Sequence, residues 1–227
     1  VDQKEISDDW IIKNCGIRTG DWLRSNFSDY DRIVYHFGNS IFHRYMFDLI
    51  DAVPGVVVLH DFFLSSIAEH MEISNVSPGF WIAALYESHG YAALNKRLTA
   101  PDAAEVVWTY PCSLGVIRNS VGVITHSTHA LELAKKWYDD GGGRWEVIPL
   151  LRDPEIRSTK QAARERLGFK ASDFVVCTYG MVTNTKQSIR LFEAWKNSSL
   201  GNNPNSYLVF AGENHPGDYG QQLLRES

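Results

Sequence analysis

IVYHFGNSIFHRYMFDLIDAVPGVVVLHD, residues 33–61, decides the fold. Ile33-Val34-Tyr35 is a short β-prone run that stops at His36-Phe37-Gly38-Asn39-Ser40. An amphipathic segment over 41–52 follows, with Ser40 placed to act as its N-cap. Pro54-Gly55 breaks that helix. Val56-Val57-Val58-Leu59 is then a continuous apolar run of the kind buried in a parallel sheet, and it ends in His60-Asp61. The expected unit is therefore strand, turn, helix, turn, strand. In an open parallel α/β sheet, ligands bind at the carboxyl ends of the strands. Both strands deliver polar side chains to that edge.

The rest of the chain extends this alternation. Residues 1–32 are polar, with weak strand or helix signals near 9–12, and Asp29-Tyr30-Asp31 marks the loop into the first strand. Helical spacing runs over 62–71. Ser77-Pro78-Gly79 opens another helix that continues to Leu98 with a break near Gly90. Trp81, Tyr86 and Tyr91 on it are expected in the core. Pro101 starts a further helix with Asp102 and Glu105 in its first turn, so 62–118 reads as almost wholly helical. A strand over 121–125 ends at His126-Ser127, and Ser127 is placed to cap a helix over 128–138. Asp139-Asp140-Gly141-Gly142-Gly143 is a turn, and 145–148 is one more strand before Pro149. The order implies a parallel sheet with right-handed crossovers.

A change of unit is expected at 150–158, where Arg152-Asp153-Pro154 has turn chemistry. The βα alternation then restarts: a helix over 159–167 ended by Gly168, a buried strand over 174–179 and a loop over 180–186. A helix over 187–195 and a strand over 206–211 ended by Gly212-Glu213-Asn214 complete it. The reading is thus α/β in two domains, 1–150 and 151–227.

Composition narrows the partners. A hydrophobic content of 44% with 22% charged residues is that of an ordinary globular chain. A net charge of −5 with no basic cluster argues against nucleic acid. No apolar run approaches the roughly 20 residues that span a bilayer. The acidic amino terminus, VDQKEISDDW, does not read as a signal peptide. Cys15, Cys112 and Cys177 form no metal or disulfide spacing and read as reduced, mainly core thiols of a cytoplasmic protein. Aromatics at 12%, seven of them Trp, suit either a large core or a carbohydrate-handling cleft. The loop at Gly180 lacks the GxxxxGK[ST] pattern, so a P-loop nucleotidase is not supported.

YHFGNS-x2-H, PGVVVLHD, VGVITHST, EVIPL, YGMVTNTK and YLVFAGE, in this order and spacing, resemble the GT-B glycosyltransferases of the family-4 ("group 1") type, over residues 30–225. The resemblance implies two Rossmann-like GT-B domains with parallel sheets, both incomplete here. The first, acceptor-side domain would take a saccharide or lipid-linked acceptor. The second would bind a nucleotide-sugar donor such as a UDP- or GDP-sugar. Transfer would retain anomeric configuration, with no cofactor and no bound metal. It further implies a place in polysaccharide biosynthesis in the cytoplasm, with peripheral association at the inner membrane face left open.

Residue by residue, the resemblance assigns Gly180, Lys186, Gly212 and Glu213 to the donor, with Lys186 as a cation on the diphosphate. A fixed cation near a helix N-terminus would stabilise the negative charge that develops on a phosphoryl leaving group. Met181 stands where the family often has a second cation, arginine. On the acceptor side it assigns Gly38, Asn39, Ser40 and His126, with His60 and Asp61 as the catalytic pair. Each has a plainer reading: His126 as a helix-capping residue, Lys186 as a solvated helix-start lysine, His36 and His43 as structural histidines. The family's Gly-rich first loop and its later Glu-x7-Glu element are absent, so flanking segments or a companion chain are expected. A non-catalytic sugar- or protein-binding scaffold derived from such an enzyme is the alternative.

Overall fold

The computed structural model describes residues 6–139, 143–150 and 158–226. The chain divides into two compact units, Val1–Arg152 and Asp153–Ser227. The expected Gly141-Gly142 turn and the turn chemistry at Arg152-Asp153-Pro154 lie outside the described residues.

In the first unit, α1 (Asp9–Asn14) and α2 (Gly20–Asn26) precede β1 (Val34–Phe37). Asp8 and Thr19 cap these helices, accepting from the amides of Ile11 and Trp22. After β1 come α3 (Tyr45–Ala52), β2 (Val56–Leu59), α4 (Ser65–Ile73), α5 (Phe80–Thr99), α6 (Ala103–Thr109) and α7 (Leu114–Asn119). The unit closes with β3 (Gly122–Thr125), α8 (Thr128–Tyr138) and β4 (Trp145–Val147). The sheet is parallel throughout, in the order β1-β2-β3-β4.

That order has a consequence for packing. Each crossover steps the same way along the sheet, and right-handed crossovers stepping one way put all their helices on one face. Burial agrees. Tyr35, Phe37, Val57, Leu59, Val123 and Thr125 share one face and are buried under Met46, Leu49, Ile50, Leu64, Ile67, Val116, Ile117 and Tyr138. On the other face Val34 is 52% exposed, His36 and Glu146 are exposed, and Val58 alone is buried. A second apolar cluster, built on Trp81, Leu85, Ala93, Val106, Val107 and Cys112, joins the long helices. Trp81 donates its indole N–H to Ser65 Oγ at 3.0 Å, and the Arg97 guanidinium lies 4.6 Å above its ring.

Gly55 is required by close approach: a Cβ there would lie 2.7 Å from the Ile33 carbonyl and 2.8 Å from the Tyr35 ring. Tyr35 in turn donates its hydroxyl to the Val53 carbonyl at 2.7 Å. The strand–helix–strand unit is therefore locked where the helix turns into β2.

Several local expectations need correction. Ser40 makes no side-chain cap. The chain passes through a 3₁₀ turn, Ile41–His43, whose amides bond backward to backbone (His43 N–H to Ser40 O at 2.9 Å), and α3 begins only at Tyr45. Ser127 precedes α8 but its side chain does not cap it. Asp102 is the N-cap of α6 itself, accepting from the Ala104 amide. Tyr86 and Tyr91 are 49% and 76% exposed and pack edge-on against each other, so of the three aromatics expected in the core only Trp81 is buried there. Cys112 is buried as expected, whereas Cys15 and Cys177 are exposed.

In the second unit, α9 (Lys160–Leu167) is capped by Thr159 and ended by Gly168 in the left-handed region. β5 (Phe174–Tyr179) and β6 (Ser206–Ala211) pair in parallel over six residues, flanked by α10 (Ser188–Lys196) and α11 (Asp218–Glu226). The strand over 174–179, expected to be buried, has no buried residue. A two-stranded sheet has few neighbours to cover it. Val182 and Leu223 are the buried apolar residues of this unit among those described. The whole is an α/β chain of parallel sheets. Among the described residues no helix is long and apolar enough to cross a membrane.

Candidate functional site

The carboxyl edge of the first sheet carries the densest chemistry. His36 sits in β1 opposite Val58, His60 directly follows β2, and His126 directly follows β3. Strand alternation puts all three on the open face, in a row across adjacent strands. The rings of His36 and His60 lie end to end, with centroids 5.3 Å apart and planes 22° apart. Those of His60 and His126 are 5.0 Å apart. Their nitrogens also meet in sequence: His36 Nδ1 to His60 Nε2 at 3.0 Å, and His60 Nδ1 to His126 Nε2 at 3.2 Å. His126 Nδ1 reaches the Ile148 carbonyl at 2.9 Å. The nitrogens run in a line and do not converge on a point. Among the described residues no group of three or more His, Cys, Asp or Glu could hold a metal ion.

The carbonyl fixes the direction of this line. A carbonyl oxygen only accepts, so His126 Nδ1 carries its hydrogen. In neutral imidazole the other nitrogen is then an acceptor. His60 Nδ1–H must donate to it, and His36 Nδ1–H must donate to His60 Nε2. Burial first, then the neighbouring His36, His126 and His43, hold the His60 pKa below its ordinary value, against a smaller raising effect of Asp61.

The loop residues make local hydrogen bonds. Asn39 spends its side-chain carbonyl on the Ile67 amide at 2.9 Å, meeting an otherwise unpaired donor in the first turn of α4. Its own amide donates to Asp61 Oδ2 at 2.8 Å. A Cβ on Gly38 would lie 3.3 Å from that same oxygen, so the loop closes tightly on Asp61. Ser40 contributes its carbonyl to the 3₁₀ turn. His43 Nδ1 lies 2.6 Å from the His36 carbonyl and 3.1 Å from the Gly38 amide. One nitrogen cannot donate and accept in the same plane, and the shorter contact to a carbonyl requires donation. His43 thus pins the backbone of His36.

Two concavities open beside the row. One, of about 380 Å³, is lined by Asn39, His60, Asp61, Phe63 and His129, among others. The other, of about 530 Å³, lies beyond β1 and includes Arg18, Trp22, Tyr30, His36, Phe42 and His43. The aromatic residues of this second hollow and the place of His36 in it were not singled out as a site from sequence. The signal was present: each of three strands bears a histidine at or just past its end.

In the second unit Gly180 (φ 112°), Gly212 and Lys186 do come together. A Cβ on Gly212 would lie 2.1 Å from the Gly180 carbonyl, and the Lys186 Cε would lie 3.8 Å from a Cβ on Gly180. Lys186 ends the 3₁₀ turn Asn184–Lys186, just ahead of α10. Glu213 joins through its backbone, accepting from the Val182 amide at 2.8 Å. At the start of α10 the Ile189 amide is already taken by the Tyr219 hydroxyl at 2.9 Å.

His89 is a separate case. Its Nε2 accepts from the Cys112 amide at 3.2 Å inside a box of Tyr110, Trp137 and Tyr138, and burial pushes its pKa down to about 4. It is a neutral structural histidine. No protein-family model matches the chain, and no curated protein sequence matches it.

Proposed function

We propose that the two units are the acceptor-side and donor-side parts of a retaining GT-B glycosyltransferase of the family-4 type, acting on a nucleotide sugar and a saccharide or lipid-linked acceptor. The observation that carries this reading is the set of polar side chains at the carboxyl edge of a parallel sheet. His36, His60, Asp61 and His126 lie there on three adjacent strands, where α/β folds bind ligands. The second unit supports it through the loop after β5, where the Gly180 and Gly212 backbones pack on each other and Lys186 folds against the same loop. In this reading Lys186 steadies the leaving phosphate, and Asp61 and the histidine row meet the sugar hydroxyls.

Titration calorimetry of the chain with UDP- and GDP-sugars tests it. Binding of one donor is expected, weakened about tenfold by Lys186→Ala, the equivalent of about 1.4 kcal/mol. Donor binding unchanged by Lys186→Ala removes that residue from the site. Absence of heat with every donor favours the scaffold reading over the transferase.

A further inference from the structure

We propose that His36, His60 and His126 act as one proton relay, whose receiving atom is His36 Nε2 and whose charge comes to rest on His126 against the Ile148 carbonyl. The line of hydrogen bonds carries the argument. With the carbonyl as the fixed acceptor, the neutral row has its hydrogens on Nδ1 of all three rings, and both nitrogens of His60 are engaged. Among the described residues His36 Nε2 has no hydrogen-bond partner, and its lone pair is the one left to receive a proton. The residue lines the hollow with Trp22, Tyr30 and Phe42. The residue that sequence singles out, His60, is therefore the conductor, and His36 is the contact.

The transfer balances without any co-reactant beyond the proton donor. A proton bonds to His36 Nε2. The hydrogen on His36 Nδ1 moves to His60 Nε2, and the hydrogen on His60 Nδ1 moves to His126 Nε2. His36 and His60 end neutral with their tautomers reversed. His126 ends as an imidazolium that still donates to the Ile148 carbonyl. The donor, a hydroxyl-bearing ligand or hydronium, keeps its electron pair.

The middle ring is the poorest place for the charge, since it is flanked by two imidazoles and partly desolvated. Among the described residues, the charged and titratable groups around the row include Arg18 and Tyr30 in the hollow that His36 lines, His43 beside β1, Asp61 after β2, and His129 of α8, which contacts Glu132 at 3.6 Å. Asp61 favours a proton on the row, and the other histidines oppose a second one. The row should thus hold a single proton. That the ligand is a saccharide rests on the transferase reading; the relay does not.

Long-range ¹⁵N–¹H spectra of the histidine side chains in the full chain test this. At neutral pH all three rings should show the Nδ1–H tautomer. On acidification one shared step should make His126 the doubly protonated ring while His36 and His60 switch to Nε2–H. His126→Phe should abolish the fixed tautomers of the other two, and His36→Gln should leave the His60–His126 pair intact and titrating. Nε2–H tautomers at neutral pH, or three independent titrations, overturn the relay. If His126→Phe fails to fold, the wild-type spectra and His36→Gln decide alone. Fixed Nδ1–H tautomers in a chain that binds no nucleotide sugar would refute the transferase and keep the relay. Nε2–H tautomers in a chain that does bind one would do the reverse.

Discussion

Adjacent residues of β1 meet opposite environments. Phe37 is fully buried against Phe47 and the helices, while His36 is exposed on the other side of the strand. The same division runs across the sheet, with Val57, Leu59 and Val123 inside and His60 and His126 outside. Strand order explains it. A sheet that grows in one direction with crossovers of one hand gathers its helices on one face and leaves the other open. Core packing and the candidate site are therefore carried by alternate residues of the same strands, and substitutions should separate them.

The largest effect is expected on the buried face. Phe37→Ala removes a ring from a fully buried site and should cost about 3–5 kcal/mol of unfolding free energy. Urea denaturation would show it as a lower midpoint with little change of slope. A cost under about 1 kcal/mol would mean that the two faces are not divided as described.

Next comes the turn that feeds β2. Gly55→Ala drives a methyl into the Ile33 carbonyl and the Tyr35 ring, and overpacking of this kind costs about 1–3 kcal/mol. Ala at Gly168 is the informative contrast: a Cβ there meets nothing within 4 Å, so only the left-handed backbone is strained.

The two kinds of histidine give a pH test. His89 in its aromatic box has a folded pKa of about 4, below its ordinary 6.5. Above pH 6.5 the group is neutral folded or unfolded, and its contribution is complete. As pH falls from 6.5 towards 4 the unfolded chain binds a proton that the folded chain refuses, so stability falls. His89→Gln keeps an acceptor for the Cys112 amide and removes the proton. Urea midpoints measured from pH 7 to 4 should lose part of their pH dependence in this variant. An unchanged slope would show that His89 is not the buried neutral group.

Much of this architecture was legible along the chain because its signals are local. The apolar run of β2, the Pro54-Gly55 stop, the interruption at Gly90 (φ 66°) and the ends of β5 and β6 each need only a few neighbouring residues. What failed depended on phase or on neighbours. Trp81, Leu85 and Ser88 fall on the buried stripe of α5 at spacings of four and seven. Tyr86, one residue beyond Leu85, falls off it, and Tyr91 lies past the kink that resets the phase. β5 reads as a buried strand, but its burial depends on how many strands flank it. The site was half legible. A histidine at each strand end could be seen, but the hydrogen-bonded row follows from register, which sets His36 beside Val58 and Val58 beside Ile124.

The smallest effect is expected at Val34, two residues before His36 on the open face and 52% exposed. Val34→Thr keeps the β-branched shape that suits an edge strand and changes only a surface already in contact with solvent. Its cost should stay within about 0.5 kcal/mol, against several for Phe37→Ala three positions on. The Nδ1–H tautomers of the histidine row should be unaltered, because no hydrogen bond in that row involves Val34. A destabilisation above about 1 kcal/mol would mean that something covers this face in solution. The row would then lie in an enclosed site and not on an open edge.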